Sequence, residues 1–303
     1  MAKNWIIFPK QNFITSQTRF AQRTKRYIGF ITFDSKRDYF VKKILFLILF
    51  NFLNVVNGYS ADNFGGFDVH YQLGNEYNKS GMIEDAIVEY KKAIEINAGS
   101  AKAYNNLGVA YSKKKLFDEE IFAYKKAIEL DRNYRDAYFN LGIAYGAKGM
   151  VDDEIRTYQK VIELDSENFE ALYNLGHAYR EKEMHDESIA AYKRVIEIDP
   201  NYIDAYFNLG VSYGKKGLLD DEILQYKKVL DLNPNSAEAH FNLGIAYGEK
   251  RMYEEQVREY KKAIAINPKY AKAYKNLESI YREKGMKEDA DKELSKYNDL
   301  VKH

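Results

Sequence analysis

Five histidines, His70, His177, His185, His240 and His303, are the side chains of this chain best suited to metal ligation or proton transfer near neutral pH. None stands beside a second donor at ligand spacing, and the chain has no cysteine. The residues therefore offer no metal site, no thiolate nucleophile and no disulfide. Acidic pairs such as Asp118-Glu119 and Asp152-Asp153 carry groups a hydrolase would use. They recur, however, at every predicted start of a second helix, where carboxylates complement the helix dipole. A working carboxylate pair needs environments that push the two pKa values apart. No catalytic residue, metal or cofactor is expected, and the chain reads as a non-enzyme.

The spacing that remains belongs to binding chemistry. Asn106, Asn140, Asn174, Asn208, Asn242 and Asn276 follow one another at intervals of 34 residues. A side-chain amide has both a donor and an acceptor, so it can bond a peptide backbone's C=O and N–H together. His177 and Arg180, at i and i+3, share a helix face and are placed to touch the same ligand.

What must position these groups is a repeat. Tyr90, Tyr124, Tyr158, Tyr192, Tyr226 and Tyr260 keep the same 34-residue beat, as does a leucine from Leu73 to Leu277. Seven copies result: 67–100, 101–134, 135–168, 169–202, 203–236, 237–270 and 271–303. A sustained period in this range signals a solenoid whose neighbouring units bury one another's apolar faces. In the copy from Ile203, Tyr206, Leu209, Gly210 and Tyr213 line one face of a first helix. Lys216-Gly217 breaks it, Asp220-Asp221 open a second helix, and Ile223, Tyr226, Val229 and Leu230 give that helix its apolar stripe. Pro200, Pro234 and Pro268 mark the boundaries between copies. Glycines such as Gly142 and Gly176 sit mid-helix, at a cost of about 1 kcal/mol each, which implies close approach of the paired helix.

The pattern Tyr-x-x-Leu-Gly-x-x-Tyr, followed by an apolar-Tyr-x-x-Ala/Val stripe and proline, resembles the tetratricopeptide repeat over 67–303. The resemblance implies an all-α fold, a right-handed superhelical solenoid of antiparallel helix pairs. It also implies a concave groove lined by the fifth, sixth, ninth and twelfth positions of each copy. The sixth position is the asparagine column, which resembles the ladders that hold extended peptide by its backbone. The fifth supplies Phe139, Tyr173, Phe207 and Phe241, and the ninth Ile143, His177, Val211 and Ile245. This predicts an aromatic-aliphatic floor, with Gly146, Gly214 and Gly248 clearing room above it and Arg180 giving it a polar waist beside His177. The carboxylate clamp of chaperone-binding members is missing, since Tyr71, Asp136 and Asn140 stand where it needs cations. The family usually has a small residue early in the second helix. Glu120, Glu154, Glu222 and Gln256 depart from this, and their stems are expected to snorkel or to splay the repeats. The last copy, with Glu278, Asp291, Ser295 and Asn298, has the polar character of a terminal cap.

The first 61 residues differ in kind. They carry ten Lys and Arg against two Asp, leaving 36 basic and 43 acidic residues for the remainder. A basic leader thus precedes an acidic solenoid. Lys42-Lys43, the thirteen-residue apolar run 44–56 and Gly58-x-Ser60 have the order of a secretory signal. One reading takes Val41 as the start, with 1–40 as spurious upstream translation and 41–61 as the signal peptide. The rival makes 1–43 a cytoplasmic tail and 44–56 an uncleaved signal anchor, in which case the apolar run also holds the chain at the membrane. Both place the repeats outside the cytoplasm, in the periplasm or cell envelope. A nucleic-acid-binding arm is disfavoured, because phosphate binding needs clustered charge on an ordered element.

The expectation is therefore an exported, non-catalytic scaffold that binds a protein partner through an extended or helical peptide segment. Two alternatives stay open: a regulatory or substrate-presenting subunit of an envelope enzyme, and a self-associating structural solenoid.

Overall fold

The computed structural model describes residues 66–302. The expected leader 1–40, the expected signal 41–61 and His303 lie outside the described residues. The described residues form fourteen α-helices and no strand. They fall into consecutive pairs: α1 (Gly66–Lys79) with α2 (Ile83–Ile96), α3 (Ala101–Lys113) with α4 (Phe117–Leu130), and α5 (Arg135–Ala147) with α6 (Val151–Leu164). There follow α7 (Phe169–Glu181) with α8 (His185–Ile198), α9 (Ile203–Lys215) with α10 (Leu219–Leu232), α11 (Ala237–Glu249) with α12 (Tyr253–Ile266), and α13 (Ala271–Glu283) with α14 (Lys287–Val301). No helix among the described residues is long and apolar enough to cross a membrane.

The chain divides into two compact units, Met1–Asn106 and Leu107–His303, with the boundary inside α3. In the first, α1 packs on α2; in the second, each helix from α4 onward packs on the next, and α7 also touches α9.

One turn geometry ends every first helix. The residue two places after it is left-handed, as Gly149 (φ 69°) and Gly217 (φ 72°) are. The following amide then donates back to the carbonyl of a tyrosine in the last turn, Met150 to Tyr145 and Leu218 to Tyr213. That is a Schellman ending, and it seats a hydrophobic residue after the turn. Every copy supplies one: Met82, Leu116, Met150, Met184, Leu218, Met252 and Met286. Three copies reach the same backbone without glycine, at Lys115, Glu183 and Arg251, with φ of 57° to 59°.

The expected close approach at the mid-helix glycines is present, and its cause is a ring. Tyr90, Tyr124, Tyr158, Tyr192, Tyr226 and Tyr260 are the largest fully buried side chains. Each lies against the glycine of its own repeat's first helix: a Cβ on Gly142 would fall 2.6 Å from Tyr158, and one on Gly176 2.8 Å from Tyr192. The other face of the ring meets the following repeat. Tyr158 packs with Ile155 and Val161 of α6 and with Ala171, Leu175 and Ala178 of α7. A buried aromatic ring of this size dominates the energetics of its junction.

The polar face expected of α14 is present, and only Ala290 of that helix is buried. Glu278, in the glycine phase of α13, is buried but held by Lys275 at 3.0 Å and Arg282 at 2.6 Å.

Candidate functional site

The first helices α3, α5, α7, α9, α11 and α13 carry the predicted groove residues at the phases read from the sequence. The asparagines, however, are already engaged. Asn276 Nδ2 donates to the Tyr260 hydroxyl at 3.0 Å, and Asn174 bonds the Tyr158 hydroxyl. Asn106 Nδ2 donates to the Tyr71 hydroxyl at 3.0 Å and to Asn75 Oδ1 at 2.9 Å, and Tyr90 donates to the same Asn75 oxygen at 2.9 Å. Asn140 too has a partner, and Asn242 Nδ2 turns back to the Glu238 carbonyl at 3.1 Å. The column is thus partly structural. At several junctions an asparagine satisfies a buried tyrosine of the repeat before it, which corrects the expectation of side chains facing only the groove. A buried hydroxyl demands such a partner, and burial pushes the hydroxyls of Tyr158 and Tyr260 above the usual phenol range.

The aromatic floor is the top of the core rather than an open stripe. Phe139 packs on Tyr158 with centroids 5.9 Å apart, Tyr173 on Tyr192 at 5.7 Å, and Phe207 on Tyr226 at 5.6 Å. Phe241 is only 8% exposed, wedged between Tyr260 and Tyr270. Ile143, at 46%, is the most open of the predicted apolar groove residues, while Val211 and Ile245 are half-buried. His177 is half-buried and lies 3.9 Å from Glu181.

Gly146, Gly214 and Gly248 do not clear space for a ligand. A Cβ on Gly146 would meet the Glu154 carboxyl at 2.9 Å, one on Gly214 the Glu222 carboxyl at 2.7 Å, and one on Gly248 the Gln256 amide at 2.3 Å. The glutamates neither snorkel nor splay the helices: Glu120, Glu154 and Glu222 are 2%, 7% and 7% exposed. Glycine at the twelfth position makes room for the acid at the twentieth. Where the twentieth is small, at Ala86, Ser188 and Ala290, the twelfth is large, at Asn78, Arg180 and Arg282. Burial first, and Glu181 and Glu249 next, push Glu154 and Glu222 up to about 7. Near neutral pH these carboxyls are therefore partly protonated, which lowers the cost of holding them in the interior.

His240 and His70, expected as core substitutes for tyrosine, pair with Glu259 at 2.6 Å and Glu89 at 2.5 Å. His240 and Glu259 are both buried. Spacing did not reveal a further ladder, in which a lysine reaches back 30 residues to an aspartate: Lys148 to Asp118 at 2.5 Å, then Lys182 to Asp152, Lys216 to Asp186 and Lys250 to Asp220. The acids read as dipole partners are thus also inter-repeat ties, individually weak because they are exposed. Its signal was available, since both residues keep the 34-residue beat. Among the described residues no cluster of three or more His, Asp or Glu could hold a metal ion. A depression of about 540 Å³ beside Lys125, Ile128, Arg132 and Tyr138 contains none of the predicted groove residues.

Consecutive helix pairs with this glycine–tyrosine packing define a helical-repeat interaction scaffold. The tetratricopeptide-repeat family matches this chain by two of its models. One, described as TPR repeat, covers 74–115, 118–149, 155–182, 176–217 and 222–250; the other, described as tetratricopeptide repeat, covers 136–168 and 237–270. The chain belongs to the tetratricopeptide-repeat family. Among solved structures it is similar to YrrB, described as a TPR protein with an unusual peptide-binding site. Identity is 29% over 61% of this chain and 95% of that one, with a TM-score of 0.56. It is also similar to MamA, at 33% identity over 57% and 94% of the two chains, with a TM-score of 0.54. MamA from Desulfovibrio magneticus RS-1, at 21% identity over 56% and 96%, with a TM-score of 0.54, is alike in fold alone. The chain matches none of the curated proteins.

Proposed function

We propose that the chain is a non-catalytic scaffold that holds an extended peptide segment of a partner along the face formed by α5, α7, α9 and α11. The observation that carries this is the polar and apolar series on that face: Ile143, His177, Arg180 and Val211 open or half-open, with Asn140, Asn174, Asn208 and Asn242 between them. Asn242, which spends one amide proton on the Glu238 carbonyl, has its oxygen and a second proton left to offer a backbone. Packed helices lie about 8–10 Å apart, and extended chain rises about 3.3 Å per residue. Each repeat then meets roughly every third residue, and the four repeats engage on the order of 10. The likeness to a TPR protein with a peptide-binding site supports the reading.

We further propose that the repeats work outside the cytoplasm, on the order Lys42-Lys43, 44–56 and Gly58-x-Ser60. N-terminal sequencing from the native host tests this; a mature start at Ala61 or Asp62 supports it, and a soluble cytoplasmic product opposes it. For the groove, the partner captured from the native envelope fraction is identified by mass spectrometry. Its unstructured segment is then titrated calorimetrically against wild type and Ile143→Arg. Because Ile143 is open, the variant should fold normally and bind at least tenfold more weakly. Equal binding would place the ligand elsewhere.

A further inference from the structure

The junction between α7–α8 and α9–α10 departs from its neighbours at several touching positions. Arg180 donates through Nη1 to Asn208 Oδ1 at 2.6 Å. Asn208 in turn gives its amide protons to the Tyr173 hydroxyl at 2.9 Å and to the Asp204 carbonyl at 2.9 Å. Tyr192, packed edge-on against Tyr173, is fully buried, and its hydroxyl is shut off from solvent with no hydrogen-bond partner.

At three other positions in the series the equivalent hydroxyl is served. Tyr158 has Asn174, Tyr260 has Asn276, and Tyr90 has Asn75. Tyr192 lacks any such partner. Ser188 stands where Glu222 does, and its hydroxyl is committed to the Gly176 carbonyl at 2.9 Å and the Ser212 hydroxyl at 2.9 Å. Asn208, related to Tyr192 by the same 16-residue step as Asn174 to Tyr158, is held by Arg180 instead. The arginine for its part is half-buried and makes no ion pair within 4.0 Å among the described residues. A guanidinium in that setting has most of its five donors unspent and lacks the carboxylate that normally accompanies it.

We propose that Arg180 is the receptor for one acidic side chain, Asp or Glu, of the bound segment, and that it works as a latch. A ligand carboxylate draws the guanidinium off Asn208. The freed Asn208 Oδ1 then accepts from the Tyr192 hydroxyl, giving that ring an asparagine partner as at the equivalent junctions. The exchange favours the bound state twice: arginine trades a neutral amide oxygen for a charged, bidentate acceptor, and a buried donor gains a partner. Glu181 beside His177, and Asp204 beside Tyr173, leave the site with little surplus positive charge. That suits a single negative charge. The groove series continues to both sides of Arg180, which suits an internal residue over a chain terminus.

The proposal rests on the peptide-groove reading for its ligand, but the latch can be tested without one. In the full chain labelled at tyrosine Cζ, Arg180→Gln should move the Tyr192 resonance toward those of Tyr158 and Tyr260, with circular dichroism unchanged. An unmoved Tyr192 resonance would overturn the latch. For the ligand, random 15-residue peptides are selected on wild-type protein from two libraries, one with free C-termini and one without. Enriched sequences should carry Asp or Glu at one register in both libraries. Arg180→Gln should weaken them at least tenfold, and removing the peptide's acid should cost wild type a similar factor and the variant nothing further. Enrichment confined to the library with free C-termini would overturn the side-chain assignment in favour of a terminal carboxylate. Peptides that bind without an acid, or equally to Arg180→Gln, would overturn the receptor while leaving the groove intact. No enrichment at all would overturn the groove reading, and the receptor with it.

Discussion

Asn174 and Asn208 hold the same phase in consecutive repeats, yet they do different work. At the junction of α5–α6 with α7, Asn174 satisfies the buried hydroxyl of Tyr158. At the next junction Asn208 answers to Arg180 and Tyr173, and the Tyr192 hydroxyl goes unmet. Both tyrosine rings are buried to within 2%. The apolar frame is therefore the same, and only the polar chemistry laid over it has changed. The difference shows where a repeat protein can acquire function: the packing positions are held by the need to stack, while the polar positions between them are free to diverge.

The broadest test of that separation removes the rings. Tyr158→Ala and Tyr192→Ala should each cost about 3–5 kcal/mol, measured by urea unfolding followed by circular dichroism. The two losses should agree to within about 1 kcal/mol, the scale of the one bond by which the junctions differ. A large disparity would mean that the apolar frames are not equivalent.

A smaller effect comes from pH. Glu154 and Glu222 belong to the repeats on either side of the fourth, and Ser188 takes their place within it. Their folded pKa, about 7, lies above the ordinary value of 4.5. The protonated form is therefore favoured by folding. Its contribution is complete below the unfolded value and is lost as pH rises through about 7, on the order of 3 kcal/mol per group at most. Unfolding midpoints should fall between pH 5.5 and pH 8.5. Glu154→Gln with Glu222→Gln should flatten that decline, and a midpoint that rises with pH would contradict the burial account.

Much of this was legible in the sequence because stacking writes itself at fixed period. The tyrosine and glycine phases, the helix breaks and the polar cap could all be read from spacing. What spacing could not show was which periodic residues meet. Gly146 and Glu154 lie eight positions apart and read as unrelated until their helices pack; the glycine was credited to the groove and the acid to the surface. The asparagine column looks ligand-facing in the sequence, because partners such as the Tyr260 and Tyr173 hydroxyls lie 16 or 35 residues away. Arg180 and His177 were found by departing from the repeat, and that departure is where the structure has its unmet hydroxyl. The large-for-small exchange between the twelfth and twentieth positions was a signal in the sequence, visible only by comparing copies.

A third test uses the backbone. Glu183, in the turn after α7, is left-handed where Gly149 and Gly217 occupy the same phase. Glu183→Gly should stabilise the fourth repeat by up to about 1 kcal/mol, and Gly149→Ala should destabilise the third by about 1–2 kcal/mol. Thermal melts of the two variants check this. Matching losses from both would mean that Glu183 makes a contact worth more than its strain.

The most direct measurement compares two phenylalanine variants that leave the rings in place. Tyr158→Phe removes a hydroxyl that Asn174 uses and should lower stability by about 0.5–1.5 kcal/mol. Tyr192→Phe removes a buried hydroxyl with no partner, so it should leave stability unchanged or raise it by up to about 1–3 kcal/mol. Urea midpoints for the two variants and wild type, at one pH, decide it. Opposite or clearly unequal shifts are the predicted result; equal losses from both would show that Tyr192 is satisfied after all and that the two junctions are alike.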